Sequence, residues 1–238
     1  MNIILLDTAS TEQTFAKGNR IYQHVCDSLR MVEGDVFDIG LIDGPRGKAE
    51  IIQISKEALT VSISWGEIPE KLRPVTMILG LSRPQTVQKQ LNVLATLGVS
   101  KMIFVPTERG EPSYANSRVW RDGLWKRHVL EGVEQAFDTH VPEVEVSENL
   151  EATLEQILEQ VHRIVLDNYE SPKSLSELLK SADPSTPQVL AIGSERGWTA
   201  QERDLFREKG FTFAHLGQRV LRCETAATIA AAAALGVG

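Results

Sequence analysis

The 238-residue chain has few of the features that usually indicate a secreted, metal-binding or membrane protein. Its only cysteines, Cys26 and Cys223, lie far apart in sequence, which supports neither a disulfide framework nor a cysteine-based zinc motif. We expect two buried thiols and no metal. No apolar run approaches the roughly 18 to 20 residues needed to span a bilayer, and the N-terminus has no basic leader. These absences predict a cytoplasmic protein that has no membrane partner.

The chain also lacks an overall positive charge, since its net charge is −7. Such a balance argues against nucleic-acid binding, which draws on lysine and arginine to contact phosphates. Segment 81–128 differs, because it holds eight basic residues against three acidic ones. It predicts either a basic binding surface or an ordinary solvated helical face, and both interpretations stay open. The basic residues are Arg83, Lys89, Lys101, Arg109, Arg118, Arg121, Lys126 and Arg127.

The first 70 residues show the pattern of a small β-barrel-like module. Residues 36–42, 49–54 and 59–63 have the composition and turn signals of strands. Residues 68–74 contain two prolines and mixed charge, as is typical of a linker. We therefore predict one domain over residues 1–70 and another over 71–238.

The second domain alternates predicted strands and helices. Strands are predicted at 76–81, 102–105, 163–166, 189–192 and 214–216. Helices are predicted at 86–97, 120–136, 150–160 and 200–209, followed by an alanine-rich helix at 226–234. Such alternation is typical of an α/β fold with a parallel sheet covered by helices on both faces.

Two glycine turns each directly follow a predicted strand, Gly193 after 189–192 and Gly217 after 214–216. Ligands of open parallel sheets bind outside the carboxyl ends of strands, where glycine lets the backbone approach them closely. Neither G-x-G-x-x-G nor G-x-x-x-x-G-K-[ST] occurs, so the usual evidence for dinucleotides or nucleoside triphosphates is missing. An arginine and a glutamate, Arg222 and Glu224, follow the second turn, and Thr225 is a candidate N-cap.

The strings IGSERGWTAQE and LGQRVLRCETA resemble the RsmE-type family of small-subunit ribosomal RNA uridine methyltransferases, in the SPOUT superfamily. The usual family patterns are IGPEGGF and LGxRILRxETA, so the second string matches more closely. Arg20, His24 and Arg30 resemble the RxxxHxxxVLR string of the family's N-terminal RNA-binding domain. Further short matches extend the resemblance over nearly the whole chain.

This resemblance implies a PUA-like β-barrel followed by a SPOUT domain, in which a C-terminal deep trefoil knot binds S-adenosylmethionine. Knots are otherwise essentially absent from proteins, so only the resemblance supports one. It also implies a homodimer acting on ribosomal RNA or the small ribosomal subunit. The implied cofactor-binding residues are Leu166, Ile192, Gly193, Glu195, Gly197, Leu216, Gly217, Val220 and Leu221.

Methylation of a uracil imide nitrogen needs either a stabilised uracil anion or a base that removes the proton. Arg222 is our candidate for the first role and Glu224 for the second, with a helix-start ion pair or cap as the structural alternative for both. For Glu195 we favour a role in fixing the Gly193 turn. We expect Arg20, His24, Arg30 and Arg109 to contact RNA, although His24 can equally be a structural histidine.

Four residues depart from the family patterns, namely Arg196, Val93, Thr96 and Asp138. Arg196 replaces a glycine of the first turn, and Asp138 stands where the family has an arginine. We expect these departures to face the substrate. Three functions therefore remain open: methylation of a ribosomal RNA uridine, methylation of another RNA, or non-catalytic RNA binding or ribosome assembly on the same fold.

Overall fold

Residues 2–180, 183 and 186–237 are described by a computed structural model, in which the chain divides into two units. The first comprises Met1–Lys71 and Val133–Val141, and the second comprises Leu72–Gly132 and Pro142–Gly238. The segment Val133–Val141 was not part of the predicted first domain. Its place depends on contacts with residues far away in sequence, which no local pattern indicates.

The first unit contains a five-stranded sheet with strand order β1-β3-β4-β5-β2. The alternation of β5 explains its burial, because Leu59, Val61 and Ile63 face the core while their neighbours do not. The three predicted strands are present, whereas β1 and β2 were not predicted. The strands are β1 (Ile4–Leu6), β2 (Glu12–Ala16), β3 (Val36–Leu41), β4 (Arg46–Ile54) and β5 (Ala58–Trp65).

A short helix, α1 (Arg20–Tyr22), continues as a π-helix over Gln23–Ser28. Asn19 caps α1, since its side chain accepts a hydrogen bond of 2.8 Å from the Ile21 N–H. The apolar side chains of the helical segment pack into the core of the first unit. Arg20 and His24 therefore lie on its exposed side.

The second unit contains the predicted parallel sheet, with strand order β10-β12-β9-β11-β6-β7-β8. The strand predicted at 214–216 begins two residues earlier, and β8 and β10 were not predicted. The strands are β6 (Val75–Gly80), β7 (Lys101–Val105), β8 (Glu143–Val146), β9 (His162–Leu166), β10 (Lys173–Ser174), β11 (Gln188–Ile192) and β12 (Thr212–His215).

Several helices differ from their predicted bounds. The single helix expected at 120–136 is wrong, because Gly123 takes a left-handed φ of +69° and separates α3 from α4. The helix expected at 150–160 ends at Glu155. The helices are α2 (Pro84–Leu97), α3 (Arg118–Arg121), α4 (Leu124–Gln135), α5 (Leu150–Glu155), α6 (Leu175–Lys180), α7 (Ala200–Glu208) and α8 (Cys223–Leu235), with a 3₁₀ turn at Pro112–Asn116.

The alanine-rich helix α8 begins at Cys223, three residues before the predicted start. Arg222 is its N-cap position, so the prediction that Thr225 caps the helix is wrong. Ala227, Ala230, Ala231 and Ala234 are buried at i, i+3, i+4 and i+7. Because these side chains are small, α8 packs closely against α2 and the sheet. The trefoil knot stays a prediction.

Candidate functional site

A cavity of about 760 Å³ lies in the second unit, at the carboxyl ends of three neighbouring strands. Strand β11 is inserted between β6 and β9, so that Ile192 pairs with both Leu79 and Leu166. Leu166 in turn pairs with Ala214 of β12. Ligands of open α/β sheets bind where the strand order changes in this way. The cavity volume is that of a small-molecule site.

Most of the predicted cofactor residues line this cavity. The sheet register brings them together, because the turns after β9, β11 and β12 meet at one edge. Gly217 is not among the lining residues, although both Leu216 and Val220 are. The predicted residues that line the cavity are Leu166, Ile192, Gly193, Glu195, Gly197, Leu216, Val220, Leu221, Arg222 and Glu224.

The first glycine turn packs directly on the end of β6. A Cβ atom at Gly80 would lie 2.3 Å from the Ser194 backbone nitrogen and 2.9 Å from Cγ2 of Thr107. Only glycine allows so close an approach. The Thr107 and Ser194 hydroxyls lie 2.9 Å apart and are buried, which ties the turn to the residues after β7. No local pattern in the sequence indicates Gly80, because its role depends on a contact with a distant segment.

Glu195 fixes the same turn by linking it to the start of α2. Its Oε1 atom accepts a hydrogen bond of 2.9 Å from the backbone N–H of Arg83, the N-cap residue of α2. A carboxylate at a helix N-terminus is stabilised by the unpaired amides and by the helix dipole. The contact supports the loop-fixing role that we favoured for Glu195.

A buried capping box holds the end of the turn. Thr199 and Glu202 exchange hydrogen bonds at the start of α7, 3.2 Å from the Glu202 N–H to the Thr199 hydroxyl and 2.7 Å in return. Oε1 of Glu202 also accepts the Glu108 N–H at 2.9 Å. Glu202 therefore orders two loops at once, a role that its place in a T-x-x-E string indicates only in part.

Asp167 follows β9, lines the cavity and is almost completely buried. Its Oδ2 atom accepts a hydrogen bond of 2.8 Å from Nε of Arg203, which is also buried. Its Oδ1 atom accepts the N–H groups of Tyr169 and Glu170 at 2.7 and 2.8 Å. Paired and hydrogen-bonded in this way, Asp167 orders the loop after β9. No local pattern in the sequence indicates a role for Asp167 or Arg203.

Arg222 and Glu224 differ in their partners. Oε1 of Glu224 lies 3.4 Å from Nζ of Lys89 on α2, which is the ion pair expected for a structural role. The Arg222 side chain makes no cap hydrogen bond to α8. Among residues 2–180, 183 and 186–237 its guanidinium has no ion-pair partner. Arg222 therefore presents a positive charge at the cavity wall that no described carboxylate pairs with directly.

Cys223 also lines the cavity and is buried. Burial, and to a smaller extent the nearby Glu195 carboxylate, raise the pKa of its thiol from 9.0 to about 11. The thiol is therefore protonated near neutral pH and is a poor nucleophile.

Other classes of site have no support in the described part of the chain. No group of three or more histidine, cysteine, aspartate or glutamate side chains there could hold a metal ion. Across those same residues, no helix is long and apolar enough to cross a bilayer.

Comparison with known proteins identifies the family. The RNA methyltransferase domain family matches residues 69–235, and the RNA methyltransferase PUA domain family matches residues 18–64. Ribosomal RNA small subunit methyltransferase E of Treponema pallidum is 33% identical over 218 residues, covering 89% of this chain and 81% of the relative. The chain belongs to this methyltransferase E family. A Borreliella burgdorferi member is 26% identical and covers 97% of the chain and 95% of the relative.

Solved structures of similar proteins show the same fold as this methyltransferase E family member. A ribosomal RNA small subunit methyltransferase E from Neisseria gonorrhoeae, bound to S-adenosyl methionine, has a TM-score of 0.80 at 24% identity and covers 98% of this chain and 96% of its own. A protein from Legionella pneumophila, in complex with the bound cofactor SAM, has a TM-score of 0.83 at 24% identity, with 99% and 97% covered. The match of residues 18–64 to the PUA domain family shows that the N-terminal unit of this chain is PUA-like.

Three of the predicted RNA-contacting residues lie in the first unit and one lies in the second. Arg20, His24 and Arg30 lie in the first unit, where all three are exposed and Arg30 has a positive φ of +56°. Arg20 is paired with Glu134 at 2.9 Å. Arg109 belongs to the second unit and is exposed in the loop after β7.

Carboxylates neutralise most of the positive charge of the basic segment 81–128. Five of its eight basic side chains are ion-paired with carboxylates, which favours the solvated-surface interpretation. The pairs are Lys89–Glu224, Lys101–Glu143, Lys101–Glu145, Arg118–Asp122, Arg121–Asp122 and Arg127–Glu131.

The four departures from the methyltransferase E patterns have different surroundings. Arg196 lines the cavity and is exposed, and within the described residues its side chain has no ion-pair partner. Val93 lines a shallow groove beside α8. The Thr96 hydroxyl lies within hydrogen-bonding distance of the Asn92 and Gly132 carbonyls, and Asp138 Oδ1 accepts the Thr139 N–H, so both have local structural roles. Only Arg196 lies at the candidate site.

Proposed function

We propose that this protein transfers a methyl group from S-adenosylmethionine to the imide nitrogen of a uridine in small-subunit ribosomal RNA. The observation that carries the proposal is that the segments after β11 and β12 meet at one cavity. Arg222, which has no ion-pair partner among the described residues, lies in its wall. Membership of the methyltransferase E family supports the reaction class.

The cavity has the chemistry that the cofactor requires. Leu166, Ile192 and Leu221 offer apolar surface for an adenine ring. Gly193 lets the backbone approach the ligand, and the hydrogen bond from the Arg83 N–H to Glu195 holds this turn in place. When bound, S-adenosylmethionine supplies an already activated methyl group, so no metal is needed.

The protein must then orient the uracil and stabilise the charge that develops on it. A uracil imide nitrogen is a poor nucleophile while it carries its proton. We assign Arg222 to stabilise the uracil anion through its carbonyl oxygens, because its charge has no partner in the described residues. The ion pair with Lys89 supports a structural role for Glu224 and leaves the proton acceptor open.

We further propose that the protein acts as a homodimer, that the C-terminal segment is knotted, and that the first unit contacts RNA through Arg20, His24 and Arg30. We also propose that the reaction takes place in the cytoplasm, because the proposed target is ribosomal RNA. These proposals come from the family resemblance. Light scattering of the purified protein tests the dimer directly.

Two measurements test the function. Calorimetry with S-adenosylmethionine should show binding, and absence of binding would indicate an RNA-binding or assembly protein instead. Mass mapping of ribosomal RNA from a deletion strain should show one unmethylated uridine in the small-subunit RNA. An unchanged ribosomal RNA, together with methyl transfer to another RNA pool, would assign a different target. Assays on free RNA and on small subunits then define the substrate.

A further inference from the structure

Tyr169 is a large aromatic residue in the wall of the cavity, yet 79% of its surface is exposed. An aromatic side chain of this size usually gains stability from burial. A ring exposed to solvent in the wall of a ligand cavity is therefore a candidate contact for a ligand that is larger than the cavity.

Hydrogen bonds to the buried Asp167 order the loop that carries Tyr169. Oδ1 of the buried Asp167 accepts the backbone N–H of Tyr169 at 2.7 Å, and the Ser171 hydroxyl donates to the Asp167 carbonyl at 2.6 Å. The Asp167 N–H donates to the Ala214 carbonyl at 3.0 Å, which continues the pairing of the sheet. The backbone of Tyr169 is thus held relative to the strand ends.

Among the described residues, Arg203 makes a cation–π contact with the ring. The guanidinium carbon of Arg203 lies 5.3 Å from the centre of the Tyr169 ring, within the range of a cation–π contact. Arg203 is buried and is fixed by its ion pair with Asp167. Because most of Tyr169 is exposed, its opposite face is open to a planar partner.

We propose that Tyr169 is a stacking platform for a nucleobase of the RNA substrate, beside the base that receives the methyl group. The inference rests on the proposed function. Proteins that bind unpaired RNA stack bases on aromatic side chains, because every base has a π face. The adenine of the cofactor has the same chemistry, but a ring so exposed at the mouth of the cavity favours the larger substrate.

The test compares Tyr169→Ala with Tyr169→Phe, which keeps the ring and removes only the hydroxyl. Leu158→Ala is the control, because Leu158 is 75% exposed in the same unit and does not line the cavity. We expect Tyr169→Ala to raise the KM for RNA roughly five- to a hundredfold. The Phe variant and the control should stay within twofold of the wild type, and the Kd for S-adenosylmethionine should not change.

Three results would overturn the platform. An unchanged KM for RNA removes the contact, a parallel loss of cofactor affinity assigns the ring to the adenine, and a changed oligomeric mass assigns it to a subunit interface. Anisotropy of a fluorescent small-subunit RNA fragment without cofactor separates the two proposals. If the wild type transfers no methyl group, the proposed function fails, while weaker RNA binding by Tyr169→Ala still supports the platform.

Discussion

Arg20 and Glu134, which are 114 positions apart in the sequence, form a bidentate ion pair with hydrogen bonds of 3.0 and 2.9 Å. The Glu134 carboxylate is buried and also accepts the backbone N–H of Leu5 at 3.1 Å. This residue pair joins the segment Val133–Val141 to the sheet of the first unit. Arg20, proposed to contact RNA, therefore also has a structural role.

Replacing Glu134 separates these two roles. We expect Glu134→Ala to lower the free energy of unfolding by about 1 to 3 kcal/mol, because the Leu5 amide loses its acceptor. Glu134→Gln keeps an acceptor and should cost less. Denaturant melts give the stability, and RNA titrations give the affinity. If Arg20 contacts RNA, Arg20→Ala should weaken RNA binding more than Glu134→Gln does; equal RNA affinities would leave Arg20 a purely structural role.

Arg222 is expected to act in the chemical step. Arg222→Ala should abolish methyl transfer, because the developing uracil anion loses its counter-charge, while the Kd for cofactor stays within a few-fold. The control is Arg219→Ala, which removes an exposed cation outside the cavity lining. Single-turnover methyl transfer and calorimetry are the measurements. Normal turnover by Arg222→Ala would remove the residue from the mechanism.

Glu195 is expected to act by holding the first glycine turn on α2. Glu195→Ala removes the acceptor of the Arg83 amide and should weaken cofactor binding several-fold. Glu195→Gln retains an acceptor and should bind more tightly than the alanine variant. If both variants lose affinity equally, the charge of Glu195 matters rather than its hydrogen bond. Calorimetry with S-adenosylmethionine distinguishes these outcomes.

Gly80 leaves no room for a side chain beneath the turn. Gly80→Ala should lower the free energy of unfolding by about 1 to 3 kcal/mol and weaken cofactor binding, because the Ser194 backbone must move. Gly18→Ala is a matched control, since a Cβ there has no atom within 4 Å. Wild-type stability and cofactor affinity in Gly80→Ala would contradict the packing described above.

The thiol of Cys223 is expected to resist alkylation near neutral pH. With its pKa raised from 9.0 to about 11, its thiolate fraction at pH 8 is roughly a hundredfold below that of an ordinary thiol. Labelling by iodoacetamide, followed by mass spectrometry, should accelerate as the pH rises towards 11, because the reactive form is the deprotonated one. Rapid labelling of Cys223 in the folded protein at pH 8 would contradict the raised pKa.

The sequence predicted those parts of the fold that depend on local patterns. Strands β3 to β5 show alternation, and the parallel sheet follows from alternating strands and helices. The break at Gly123 was missed, since the apolar spacing continues across it. Strand β1 was missed because its three residues, Ile4–Leu6, are all buried and show no alternation.

The residues of the candidate site also fall into two groups, those that local patterns of the sequence indicate and those that only the structure reveals. Gly193, Glu195, Leu216 and Arg222 were found because glycine turns after apolar strands, and the family strings, are visible in the sequence. Asp167, Arg203, Glu202 and Gly80 were not, because each acts on a segment distant in the chain. In the sequence Arg203 is an ordinary basic residue of a helix. In the structure its Nε atom donates a hydrogen bond of 2.8 Å to Oδ2 of Asp167.

By itself, the sequence determined the two-part organisation, the α/β class and the residues of both glycine turns, because these depend on periodicity and on residue types at short range. Only the tertiary structure decided which charges remain available for chemistry. It pairs Glu224 with Lys89 and leaves Arg222 without an ion-pair partner among the described residues. The physical reason is that electrostatic compensation depends on distance in space, which the sheet register and the packing of α8 on α2 establish.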